Sequence, residues 1–220
     1  MRKIIIVVAP VSSNPSKEIN NPISPEEIAK DVTLCNKAGA SVVHLHVRDI
    51  NCAQTNDLTI FSQTIDLIRK ESDIIINGST GGFLTANTCE ERSIPLQEDR
   101  LEMASLNMGS INLGEEVFIN TFECIRYWAQ LMQEKNIHPE MEIFDVGMIN
   151  NAKILIKESC LKPPYSFAFC PGFFGGLPAE PDVMLFLKNI LPAESIWGVN
   201  HINSQDLSFI DLDQTDILFL

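Results

Sequence analysis

The chain has 220 residues, 29 of them acidic and 16 basic, for a formal charge of −13. That acid excess argues against nucleic acid and against an anionic membrane as partners, because both associations depend on Lys and Arg neutralising phosphates. With 45% hydrophobic and 20% charged residues, the composition excludes a disordered chain and fits a single globular domain over residues 1–220.

Read for periodicity, the chain opens on Ile4 to Ala9, an apolar, β-branched run closed by Pro10. It is short for an export signal and suits a buried first strand. Ser24-Pro25-Glu26-Glu27 then predicts a helix start, with Ser24 as N-cap, Pro25 at the first helical position and Glu27 completing a capping box. Ile28, Val32 and Cys35 keep helical spacing as far as Ala38-Gly39-Ala40. Further strands are expected at Val42 to Val47, Ile74 to Asn77, Ala104 to Asn107, Met141 to Phe144, Ser166 to Phe169 and Ile196 to Val199. Helices are expected at Asp57 to Lys70, Thr121 to Glu134, Met148 to Ser159 and Asp182 to Ile190. Nearly continuous apolar strands alternating with amphipathic helices imply a parallel sheet covered by helices. Seven strands, with no Gly-x-Gly-x-x-Gly turn after the first, favour a (β/α)8 TIM-type barrel over a doubly wound sheet. Because the strand-like run Asp216 to Leu220 has nothing after it to cover it, the barrel is expected to be incomplete at its eighth strand.

Six cysteines, at positions 35, 52, 89, 124, 160 and 170, form no C-x-x-C pair. They read as reduced thiols of a cytoplasmic protein. No apolar run approaches the ~18 residues of a membrane span.

Chemistry concentrates in a few segments. In Ser41-Val42-Val43-His44-Leu45-His46-Val47-Arg48-Asp49, alternate side chains share a face, so His44 and His46 point together, roughly 6–7 Å apart at Cβ. Both imidazoles can then reach one divalent ion such as zinc, and Arg48 continues their face. A hydrogen-bonded pair of core histidines is the structural alternative. The run Ile74 to Asn77 breaks into Gly78-Ser79-Thr80-Gly81-Gly82, whose hydroxyls and open backbone suit a carboxylate or phosphate, or simply an ordinary turn. Ser105 and Asn107 place polar groups on one face of an apolar strand. Phe173-Phe174-Gly175-Gly176 is a further candidate for backbone anion binding, or a plain loop.

Taken together, Ala9-Pro10-Val11, the Asn21 to Glu27 segment, Ala38 to Asp49, Ser79-Thr80-Gly81-Gly82, Met103 to Asn107 and Phe144-Asp145-Val146-Gly147-Met148 occur in an order that resembles the β-keto acid cleavage enzymes. The resemblance covers nearly the whole chain. It implies a cytoplasmic, zinc-dependent acyltransferase of lysine degradation or related catabolism, a (β/α)8 barrel in a homotetramer. Such an enzyme condenses a β-keto acid of the 3-keto-5-aminohexanoate type with acetyl-CoA, giving acetoacetate and a new acyl-CoA. By the same resemblance His44 and His46 bind Zn2+, and Ser79, Gly82 and Ser105 contact substrate. Asn14 stands where the family has a substrate-contacting Glu, and so lacks its charge. The family's eighth-strand segment Gly-Gly-His-Val-Arg-x-Gly-x-Glu-Asp, which would supply a third zinc ligand and a catalytic acid, has no counterpart after Trp197-Gly198-Val199, so a C-terminal truncation is expected and no catalytic residue is assigned. His201 is a candidate replacement ligand. Two other readings stay open: a catalytically impaired remnant, and a scaffold or regulatory subunit of the same family.

Overall fold

A computed structural model describes residues 4–11, 21–81, 88–200 and 217–219. In chain order the elements are β1 (Ile5–Val8), α1 (Pro25–Lys37), β2 (Val42–Leu45), β3 (Val47–Arg48), β4 (Gln54–Thr55), α2 (Leu58–Arg69), β5 (Ile75–Gly78) and α3 (Cys89–Arg92). After a 3-10 turn at Ile94–Gln97 come β6 (Met103–Asn107), β7 (Ile111–Leu113), β8 (Glu116–Phe118), α4 (Phe122–Glu134), β9 (His138–Ile143), α5 (Val146–Lys157), β10 (Tyr165–Phe169), α6 (Pro181–Asn189), β11 (Ser195–Asn200) and β12 (Ile217–Phe219).

Eight of these strands form a closed parallel barrel in the order β1-β12-β11-β10-β9-β6-β5-β2. The architecture is the one the βα rhythm implies. Its eighth position is held by the three residues of β12 alone, which pair with Ile5 to Val7 on one side and Gly198 to Asn200 on the other. This short element closes the sheet.

Alternation along each strand sorts the side chains into two cores. Val43, Leu45, Ile76, Leu106, Met141, Ile143, Phe167, Phe169, Trp197 and Val199 face outward and join the helices in the main cluster. The helices answer with stripes at three- and four-residue spacing: Ile28, Ala29 and Val32 on α1, Phe61, Ile65 and Ile68 on α2, and Ile125, Trp128, Ala129 and Met132 on α4. The opposite face of the strands lines the lumen. There Val7, Val42 and Ala168, with Met103 and Ile196, form a small separate apolar layer. The remaining inward residues are polar, and they build the candidate site.

Three local expectations change. The strand read as Val42 to Val47 breaks at His46, because Val47 and Arg48 pair antiparallel with Thr55 and Gln54 in a small hairpin. A second hairpin, β7–β8, was not expected; it turns at Gly114, whose φ of +65° suits glycine. Cys89 and Cys124 are not reduced thiols but a disulfide, with Cα atoms 5.4 Å apart. The pair is separated by 35 residues and meets only because the start of α3 lies against the start of α4, a proximity that cysteine spacing does not encode. No helix among the described residues is long and apolar enough to cross a membrane.

Candidate active site

The lumen carries its polar groups on four neighbouring strands. On β2 and the residue after it, His44 and His46 do point together, and their Nε2 atoms are 3.1 Å apart. The rings meet edge to face, with centroids 4.9 Å apart. Gln54, delivered by the β3–β4 hairpin, binds Nδ1 of His46 and orients that ring. The break after Leu45 therefore has a use: it brings a side chain from β4 behind the second imidazole. Both rings keep some accessible surface, yet they sit deep in the barrel, so desolvation governs them. It holds His44 down at about 4 and, with the charges of His44 and Arg48, puts His46 well below its usual range. Both are thus neutral imidazoles near pH 7, the form that binds metal.

Arg48 lies beside this pair but is itself buried, and its Nη1 donates to the carbonyl of Cys52 at 2.8 Å, closing the β3–β4 loop. It supports the hairpin that carries Gln54.

Beyond β5 the chain turns at Ser79 and Thr80. The Gly81 N–H donates to Ser79 Oγ at 3.1 Å, which leaves the Ser79 hydroxyl proton available to a ligand. Thr80 is clamped to β6 twice: its N–H donates to Ser105 Oγ at 3.0 Å, and its hydroxyl donates to the Ser105 carbonyl at 2.7 Å. Ser79 and Ser105, singled out separately in the sequence, are thus linked through Thr80, with Ser105 on β6 anchoring the turn that carries Ser79. Gly82, Asn14 and His201 lie outside the described residues. The Phe173 to Gly176 segment is a loop, with Phe174 exposed. Its Gly176 N–H is used by the Phe173 carbonyl, and Gly175, at φ +90°, presses so closely on Asn112 that a Cβ would sit 2.6 Å from the Asn112 carbonyl.

Sequence reasoning missed the carboxylates. Glu140 and Glu142 alternate on β9 and both enter the lumen, in register with Ser105 and Asn107 on β6. Asn77 Nδ2 donates to Glu140 Oε2 at 2.6 Å, while Glu140 Oε1 and Asn77 Oδ1 are buried with no hydrogen-bond partner among the described residues. Burial, reinforced by the charge of Glu142, pushes Glu140 up to about 8. Burial also raises Glu142 to about 7, against the opposing pull of Arg92 and Asn107. Cys170, wholly buried beside these carboxylates, has its thiol pushed well up, first by desolvation and then by Glu142. The signal was present: Glu140-Met141-Glu142 is the same i, i+2 pattern on a barrel strand as His44-Leu45-His46.

Two imidazole nitrogens 3.1 Å apart fit adjacent corners of one zinc tetrahedron, whose ligand nitrogens lie about 3.3 Å apart at Zn–N distances of ~2.0–2.1 Å. Among the described residues no group of three His, Cys, Asp or Glu side chains converges to hold a metal ion, so the fit covers two positions.

A closed (β/α)8 barrel with its polar residues gathered in the lumen belongs to the large class of barrel proteins that seat ligands inside or above the strand ring. The profile of the beta-keto acid cleavage enzymes matches residues 3–212, and the chain belongs to that family. It is 37% identical over 204 residues to a 3-keto-5-aminohexanoate cleavage enzyme of Acetoanaerobium sticklandii, the match covering 91% of this chain and 74% of that protein. A 3,5-dioxohexanoate:acetyl-CoA acetone transferase of Paraburkholderia graminis is 28% identical over 228 residues, covering 91% of this chain and 73% of that protein. Among solved structures, the apo form of ObcA superposes with a TM-score of 0.77 at 17% identity, over 90% of this chain and 54% of that one, a likeness of fold.

Proposed function

We propose that the chain is a zinc-dependent β-keto acid cleavage enzyme, condensing a β-keto acid of the 3-keto-5-aminohexanoate type with acetyl-CoA to form acetoacetate and a new acyl-CoA. The observation that carries this reading is the convergence of His44 and His46 inside the barrel, 3.1 Å apart at Nε2. A zinc ion held there would supply Lewis acidity to the substrate keto oxygen and so acidify the carbon between the keto group and the carboxylate.

The chain's own residues do the rest. The Ser79 hydroxyl, with its oxygen already accepting from Gly81, donates to the substrate carboxylate and fixes the end of the molecule. Ser105 holds that turn still through Thr80. Glu142, raised to about 7, can take a proton and return it near neutral pH. Glu140, raised to about 8, stays protonated and avoids a second negative charge beside it.

The test uses acetyl-CoA labelled in its acetyl carbons, zinc and a panel of β-keto acids. Label should appear in acetoacetate while the substrate's own acyl group leaves as an unlabelled CoA thioester. Label confined to acetyl-CoA across the panel would contradict the reading.

A further inference from the structure

Arg92 ends α3, twelve residues after Thr80, and is only 5% exposed. Its guanidinium lies between two rings, 4.3 Å from the centroid of Trp128 and 5.1 Å from that of Phe118. Its donors reach three neutral oxygens: Nε to the Thr80 carbonyl at 2.8 Å, Nη1 to the Ile119 carbonyl at 2.8 Å, and Nη2 to Asn120 Oδ1 at 2.6 Å. Asn120 in turn binds the Gly109 carbonyl and Ser110 Oγ, just past the end of β6. Arg92 makes no ion pair among the described residues, although a buried guanidinium is costly without one. The ring stack and three acceptors hold its charge in place, with the Glu142 carboxyl acting on it through space.

The bond to Thr80 is the informative one. The Thr80 carbonyl and the Gly81 N–H belong to one peptide unit, and that N–H donates to Ser79 Oγ. A cation on the carbonyl end polarises the whole unit and strengthens the donor at its other end. The Ser79 hydroxyl, accepting from that stronger donor, becomes the better donor itself. We infer that Arg92 is a positioning residue for the proposed reaction, acting through the Thr80–Gly81 peptide to hold and polarise Ser79 against the substrate carboxylate. The inference rests on the reading of that turn as the carboxylate site.

The test compares Arg92→Met, neutral and of similar length, with Arg92→Lys, which keeps the charge, in the full chain. Both should lower the melting temperature, as any loss of the three-point anchor would. Only Arg92→Met should raise KM for the β-keto acid by about tenfold, the scale of one charge-assisted hydrogen bond. In both variants kcat and the KM for acetyl-CoA should stay within about twofold of the parent, and Arg92→Lys should restore most of the β-keto acid KM. Equal KM values in the two variants, or a loss in kcat at unchanged KM, would overturn the inference. A second arm needs no turnover: amide exchange at Thr80 and Gly81 should accelerate in Arg92→Met and less in Arg92→Lys, and unchanged exchange would overturn it as well. If the parent chain forms no acetoacetate, the functional proposal fails by itself, while the exchange arm still reads whether Arg92 controls the turn.

Discussion

At the scale of single residues, the lumen combines two neutral imidazoles with two carboxyls that are hard to ionise, and each state follows from burial more than from pairing. For the histidines the consequence is the neutral form that the proposed zinc site requires. Purified with zinc, the chain should hold about one ion, and His44→Ala or His46→Ala should each reduce that to well below stoichiometric by elemental analysis, since losing one of few ligands removes most of the affinity. For Glu140 the consequence is a pH slope. Its pKa of about 8 in the fold stands above the ordinary 4.5, so between those values the folded chain keeps a proton that the unfolded chain has released. Stability contributed by this group is therefore full below pH 4.5 and falls as the pH rises toward 8. Glu140→Gln keeps an oxygen for Asn77 and removes the ionisation. Urea melts at pH 6 and pH 8.5 should show a smaller decline for the variant than for the parent, whose slope from this group is at most ~1.4 kcal/mol per pH unit. The histidine pair was legible because two identical residue types at i, i+2 on an apolar strand stand out. Glu140 and Glu142 obey the same spacing but belong to an acid-rich chain, where a carboxylate reads by default as solvated.

At the scale of elements, the first helix forms as its sequence implies. Ser24 Oγ accepts from the Glu27 N–H, and Glu27 returns bonds to the N–H groups of Ser24 and Ile23. Ser24→Ala should lower stability by about 1 kcal/mol, read as a melting temperature lower by roughly 2–4 °C for a chain of this size. The main strands and long helices were legible for the same reason, since each carries its own period and stop signals. What was not legible depended on meeting partners. The β3–β4 hairpin exists because Gln54 and Thr55 return to Arg48 and Val47, and it is this return that orients His46. The short α3 has too few residues for a period, yet it carries Arg92, and its tie to α4 through Cys89 and Cys124 emerges only when the two helix starts are juxtaposed.

At the scale of the whole molecule, the order of strands brings His44, Asn77, Ser105, Glu140 and Glu142 from four consecutive barrel positions into one lumen. The fold class was legible from the βα rhythm. Closure was not, because β12 contributes only three residues and its pairing with β1 joins the two ends of the chain. The acid excess that argues against polyanionic partners also makes the buried charge of Arg92, which forms no ion pair among the described residues, conspicuous beside the turn proposed to meet an anion. The most direct test of the proposed chemistry is one assay of acetyl-CoA-dependent acetoacetate formation, run on the parent chain after chelation, after zinc is restored, and on His46→Ala with zinc. Formation that stops on chelation, returns with zinc and is lost in His46→Ala is the expected result; equal formation in all three would contradict a metal centre built on the two histidines.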